Sequence, residues 1–367
     1  MNVEQTCANP RQLVAAWVAC LLASLSLCMT QMAIAQEESA DDADAGPELS
    51  AECAAFAQDR NADLGDVLRA GCQPTLAQMS ALMDNPLGNV AMSFFQYDQY
   101  FVTRDDIDQT ANQGNFMGIL QFPKGLGENW NLINRVVYNV ASVPLDQDAI
   151  DAGAPTNPPA CTPPPGGGPP SCNPAALAPI NLFDGRTTGW GDMYYVGLFA
   201  PKVGKKLDNG ASVLWGAGFD FLFPTAAEDV LGVGKWAAGP SALGVYLGKT
   251  WKYGALLQHY VSFAGSDNRA DVNMTNLQYL YYYSLNATTS IGAAPNIIIN
   301  WEASGTERFT IPVGLGINKT VQFGKLPVRL GVEVYYSVWR PNNVASTEWN
   351  LRFYAIPAVP SALFGWM

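Results

Sequence analysis

Between residues 289 and 319 the sequence alternates in a way that few folds can accept. Ile291, Ala293, Ile297, Ile299 and Trp301 share one parity, and Ser290, Asn296, Asn300 and Glu302 the other. After a short turn, A-S-G-T, Phe309, Ile311, Val313, Leu315 and Ile317 oppose Arg308, Thr310, Gly314, Gly316 and Asn318. Successive side chains of a β-strand point to opposite faces, so a period of two predicts the two strands of a hairpin. The apolar face carries no charge over about ten residues, the length a tilted strand needs to cross a bilayer. This predicts a membrane-spanning hairpin with lipid on one face and a wet lumen on the other.

Composition bears on whether the rest of the chain follows that hairpin. Hydrophobic residues make up 49% of the 367, yet the only continuous apolar run is at the N-terminus. A bundle of membrane helices needs several runs of about 20 residues, so the apolar content must be spread by alternation. Tyr (15), Phe (16) and Trp (10) are abundant and charged residues only 14%, which suits a lipid-facing belt with aromatic girdles. A secreted β-sandwich would alternate too, but with a polar exterior. The net charge of −12 argues against a nucleic-acid partner, which demands basic surface.

Residues 1–35 read as a signal peptide: Arg11, an apolar run over 13–29, then Ala33-Ile34-Ala35 before Gln36. A retained anchor helix is the alternative; a lipid-attachment site at Cys28 is disfavoured by the bulky Leu27 before it. Cys53, Cys72, Cys161 and Cys172 remain after cleavage, an even number in an exported chain, and proximity favours Cys53–Cys72 and Cys161–Cys172 disulfides. Neither pair has metal-ligand spacing and no histidine is near, so no metal or cofactor is expected. Residues 36–85 comprise an acidic leader and short helices clipped by the first disulfide, serving as cap, plug or spacer. From 86 to 360 strand follows strand, about twelve in all, an all-β, transmembrane, antiparallel up-and-down barrel, with a tail at 361–367. Short connections alternate with long ones, which places the short turns in the periplasm and the long loops outside. The longest, 142–188, is rich in Pro and Gly and reads as an extracellular excursion.

Parity then gives the lumen face. It holds Asn131, Arg135 and Asn139 on the third strand and Asp220 on the fifth. Further on come Asn276 and Gln278, then Asn296, Asn300 and Glu302, then Arg308, Arg329, Glu333, Asn350 and Arg352. An Arg on the lipid side would cost about 2–4 kcal/mol at the midplane, so each strand arginine is expected inside. Cross-strand pairs are expected of Arg329 and Arg352 with Glu333, and of Arg308 with Glu302. Such pairs either fill a narrow barrel or line a conducting path. Asp229, Lys235 and Trp236 fall in the Gly-rich loop 224–237, an extracellular turn or an inward constriction. Asp267 and Asp271, near the outer rim, read as solvated carboxylates. Catalysis is not expected: a serine hydrolase needs a histidine beside its nucleophile, and the single histidine, His259, has Ser262 on the opposite face of its strand.

Several short motifs carry a family resemblance. They are N-P-L-G-N (85–89), N-W-N-L-I-N-R (129–135), L-G-V-G-K-W-A-A-G-P (231–240), S-F-A-G (262–265), D-V-N (271–273), N-W-E (300–302) and W-N-L-R-F (349–353). In this order they resemble the outer-membrane family labelled a transporter of the meta pathway of phenol degradation, some of whose members carry the name neuromedin U. The likeness covers roughly residues 80–355; the 145–185 insertion and the C-terminal tail fit it less well. It implies a barrel in a Gram-negative outer membrane, in contact with lipid, that passes small organic, aromatic or hydrophobic, solutes. The alternative is a non-conducting barrel of the cell envelope. Solute, oligomeric state and whether the helices block the bore stay open.

Overall fold

The computed structural model describes residues 51–58, 67, 70–87, 91–105, 109–151, 185–324, 326–342 and 344–358. The expected signal peptide, the acidic leader, Cys161, Cys172 and the C-terminal tail lie outside them. Met1–Phe56 and Ala57–Met367 are separate compact units. Helix α1 (Ala51–Gln58) begins in the first, and Cys53 and Cys72 are joined by a disulfide. All other elements belong to the second unit. Among the described residues no helix is long and apolar enough to cross a membrane.

The strands are β1 (Met92–Arg104), β2 (Gln109–Leu126), β3 (Trp130–Val143), β4 (Thr187–Trp190) and β5 (Met193–Pro201). Next come β6 (Lys205–Lys206), β7 (Ser212–Phe223), β8 (Lys235–Leu247), β9 (Trp251–Gly265) and β10 (Asn273–Ser284). The last are β11 (Thr289–Ala293), β12 (Asn296–Asn300), β13 (Phe309–Phe323), β14 (Leu326–Trp339) and β15 (Ser346–Pro357). Because β4 and β5 share a stave, β11 and β12 share another and β6 only flanks β7, they make a closed antiparallel barrel of twelve staves. Each stave bonds to its neighbours in sequence, and β15 closes the cylinder on β1. Two helices accompany them, α2 (Leu76–Met83) and α3 (Gln147–Asp151).

Antiparallel partners share a face, so the register carries the inward set around the wall. Asp98 stands opposite Arg352 and Asn115, Gln121 opposite Arg135, and Val196 opposite both Arg135 and Asp220. The other parity faces out. Leu315 (63% exposed), Phe263 (65%) and Val261 (44%) show hydrocarbon to the surroundings, a surface that water would penalise and lipid does not. Aromatic residues gather at the two ends of this belt. At the short-turn end Trp130 meets Trp215 edge-on at 5.8 Å and Trp251 meets Tyr283 at 5.0 Å; Trp190, Trp301 and Trp339 lie exposed at the other. The short turns at Gly127 (φ 67°) and Gly210 (φ 78°) take a conformation that a side chain would strain. Leu315→Arg, in mid-strand on the belt, is expected to destabilise the barrel by about 2–4 kcal/mol, read from denaturant-dependent folding into vesicles.

One stave is interrupted. β11 pairs with β13 from Thr289 to Gly292 and β12 rejoins it only at Ile298 and Ile299. Over that interval two tyrosines of β10 reach across: the Tyr279 hydroxyl donates to the Pro312 carbonyl at 2.7 Å and that of Tyr281 to the Gly314 carbonyl at 2.5 Å. A buried carbonyl left without a donor is costly, so these phenols supply bonds that the sheet ladder omits.

Candidate functional site: a divided bore

Inward side chains divide the bore, with a plug at one end and a septum across the middle. Its plug at the short-turn end begins with a capping box: Thr75 and Gln78 exchange bonds, backbone to side chain, at 2.8 and 3.2 Å, which starts α2 after the break at Pro74. The helix ends at Asp84, whose N–H turns back onto the carbonyls of Ala81 and Leu82. Its carboxylate is gripped by two cations of the wall, Lys252 at 2.6 Å and Arg329 at 2.9 Å. Arg329 also donates to the Ser80 carbonyl at 2.7 Å, and Gln121 to the Pro86 carbonyl at 2.8 Å. Met79 and Met83 pack on Met92, Ile356 and Ala358, while Leu87 sits among Ile133, Leu198 and Leu214. All three charged side chains of this latch are at most 10% exposed.

The septum crosses the middle. Arg352 pairs with the fully buried Asp98 at 2.8 Å; Asp98 also accepts from Asn350 at 2.9 Å and from Gln96. One Arg352 Nη donates to the Ala294 carbonyl at 3.1 Å and to the Tyr335 hydroxyl at 3.0 Å. Glu333, 1% exposed, accepts from Tyr282 at 2.7 Å, Tyr354 at 3.1 Å, Tyr335, and the Ala294 N–H at 3.2 Å. The expected pairs with Glu333 therefore do not form. Alternation gives a face, but not which inward groups meet across a narrow lumen, and a carboxylate with four donors has no need of a cation.

Above the septum lies a cavity of about 520 Å³, below it one of about 180 Å³, and Arg352 lines both. The outer chamber mixes Asn139, Asn296 and Asn350 with Val143, Leu145 and Ile298. The inner one is walled by Phe94, Ile119, Leu247 and Leu280, with Arg135, Gln121 and Gln278. The loop 224–234 leans over the outer chamber, so that Val230 and Leu231 line it and Leu231 packs on Ala141 and Val143. Asp192 holds it there, accepting from the N–H groups of Thr225, Ala226 and Val233 at 2.7–3.0 Å; Gln147 of α3 accepts from Val230 at 3.0 Å.

The remaining sequence-derived candidates scatter. Asn131 (2% exposed) and Asp220 (0%) are buried in the wall's inner face, and Asn276 shares their parity. Asn300 is exposed at the outer end of β12. Glu302 and Arg308 lie in the turn beyond it, where Arg308 donates to the Ala303 carbonyl at 3.0 Å and overlies Trp301 instead of pairing with Glu302; the parity runs on in sequence after the chain has left the sheet. Asp229 is an exposed partner of Arg269 at 3.5 Å. Lys235 and Trp236, read as loop, are the first residues of β8. Trp236 faces outward, 42% exposed; Lys235 turns in and bonds Asp271 at 3.1 Å, which holds that exposed carboxyl below its usual pKa. His259 is on the outer face with Thr275 at 2.8 Å. No group of three or more possible metal ligands occurs among the described residues.

Asp84, Asp98, Lys252, Asp192 and the three tyrosines around Glu333 escaped the sequence reading. The shared parity of Gln96, Asp98 and Tyr100 in the first strand marked Asp98, and T-L-A-Q at 75–78 marked the plug helix. Asp192 left no periodic signal.

No protein-family model and no curated protein matches the sequence. Among solved structures, an outer membrane channel from Pseudomonas putida F1 is similar at a TM-score of 0.51 and 13% identity, over 74% of this chain and 96% of that one. Outer membrane phospholipase A from Escherichia coli aligns at a TM-score of 0.37 and 12% identity, over 76% of this chain and 98% of that one. The first likeness is one of fold; the second is too distant to bear on chemistry. Only helices and closed barrels can satisfy their backbone in lipid, and a closed barrel with this belt belongs in a Gram-negative outer membrane.

Proposed function

We propose that the protein is a passive outer-membrane channel for small organic solutes with an apolar or aromatic body, the role named in the label of the family its motifs resemble. The observation that carries this reading is the pair of chambers on either side of Arg352, each lined by apolar side chains and a few polar groups, the make-up of a small-molecule site. A barrel that only anchored loops would gain nothing from an interior hollow of this kind, since filling it would improve packing. At rest the path is shut by the septum and by the plug. Solutes enter from the outer chamber, and passage to the periplasm follows displacement of α2 and Asp84. The test is flux of a neutral single-ring solute, benzyl alcohol, into liposomes carrying the folded barrel, with and without residues 36–86. Faster entry than into protein-free liposomes, increased by the deletion, is expected. No protein-dependent entry in either form would leave the envelope-anchoring role instead.

A further inference from the structure

We infer that the inner chamber is a binding site for a small monocarboxylate with a compact apolar body, its carboxylate held by Arg135. The inference rests on the channel reading and narrows its solute class. Arg135, Arg329 and Arg352 point into the bore from mid-wall. Arg329 is committed to Asp84 and Arg352 to Asp98. Arg135 has no ion pair and no hydrogen bond among the described residues, and its Nε is buried without an acceptor. Its charge is met by aromatic side chains, the guanidinium lying 5.7 Å from the centroid of Phe94 and within electrostatic reach of Tyr260; a ring attracts a cation but accepts no directed N–H pair. The other charges on the chamber are spent: Lys252 on Asp84, Glu333 on its tyrosines and the Ala294 N–H.

An uncompensated cation among Phe94, Ile119, Leu247 and Leu280 is unfavourable unless a partner arrives. The nearest unpartnered carboxylate along the wall is Asp220, both of whose oxygens lack hydrogen bonds. It stands two strands away, across Val196, and borders neither chamber. The partner that fits is therefore a ligand. A guanidinium offers two parallel donors that match a planar carboxylate, and the apolar walls suit the body behind it. At about 180 Å³ the chamber is smaller than the roughly 300–1,000 Å³ of drug-sized pockets, which limits that body to a single ring or a short chain.

The test compares benzoate with its neutral analogue benzamide, by calorimetry on the refolded full-length barrel in detergent. Wild type is expected to bind benzoate at least 10-fold more tightly than benzamide. Arg135→Gln should abolish the preference, benzoate affinity falling to that of benzamide. Arg135→Lys, which keeps the charge without the fork, should fall between them and serves as the readout if Arg135→Gln does not fold. Equal affinities in wild type, or a preference surviving in either variant undiminished, would overturn the assignment. A barrel that passes benzyl alcohol but shows no benzoate preference fails this inference alone. One that binds benzoate through Arg135 but passes nothing fails the channel reading alone.

Discussion

Asp84→Ala is expected to raise single-channel conductance in planar bilayers several-fold and to make the closed bore leak. Two buried cations, Lys252 and Arg329, converge on this one carboxylate at 2.6 and 2.9 Å. Removing one partner of a buried ion pair costs about 3–5 kcal/mol, because the charge left behind has neither water nor counter-ion. Here two charges of like sign would be left facing each other. The least costly relief is for α2 to withdraw and let water reach them, against the contacts of Met79, Met83 and Leu87 and the bonds of Ser80 and Pro86. Asp84→Asn keeps the shape and loses the charge, and should leak less than alanine. Unchanged conductance in folded Asp84→Ala would mean that packing, not the latch, keeps the plug in place.

Arg352→Ala is expected to lower stability by about 3–5 kcal/mol, measured as a shift in the denaturant midpoint of folding into vesicles. Asp98, fully buried, would lose its only cationic partner among the described residues, while Asn350 and Gln96 could not neutralise it. Removing both charges as Asp98→Asn with Arg352→Gln should recover most of that loss, because what is penalised is the unpaired charge and not the absence of a pair. The same double change leaves no ion pair between the chambers, so it should speed benzyl alcohol flux once residues 36–86 are deleted. A double variant no more stable than Arg352→Ala would show that the arginine acts through its bonds to Tyr335 and the Ala294 carbonyl.

The staves of this barrel are legible because each is half wet and half in lipid: the same alternation that predicts a strand also tells its faces apart. That is why Arg135 and Arg352 could be placed inside from parity alone. Their partners could not be read so. Arg352 meets Asp98 across the β1–β15 seam, where the ends of the chain join, a neighbourhood that only closure creates. Glu333 is satisfied by hydroxyls of Tyr282, Tyr335 and Tyr354, residues whose rings look in sequence like belt or filler. The plug was harder still. A helix of eight residues has little periodicity to read, and the charge that fixes it, Asp84, is an ordinary C-terminal residue until the wall supplies Lys252 and Arg329. Glu302 and Arg308 show the opposite error, alternation that persists where the strand has stopped.

The interrupted stave carries a consequence for which substitutions the belt can accept. Where an outer ring meets only hydrocarbon, one large apolar ring will do as well as another. At positions 279 and 281 the ring must also end in oxygen, because Pro312 and Gly314 have no other donor across that stretch of wall. Phenylalanine there would keep the greasy coat and drop a stitch, so these two sites answer to a stricter rule than the hydrocarbon around them.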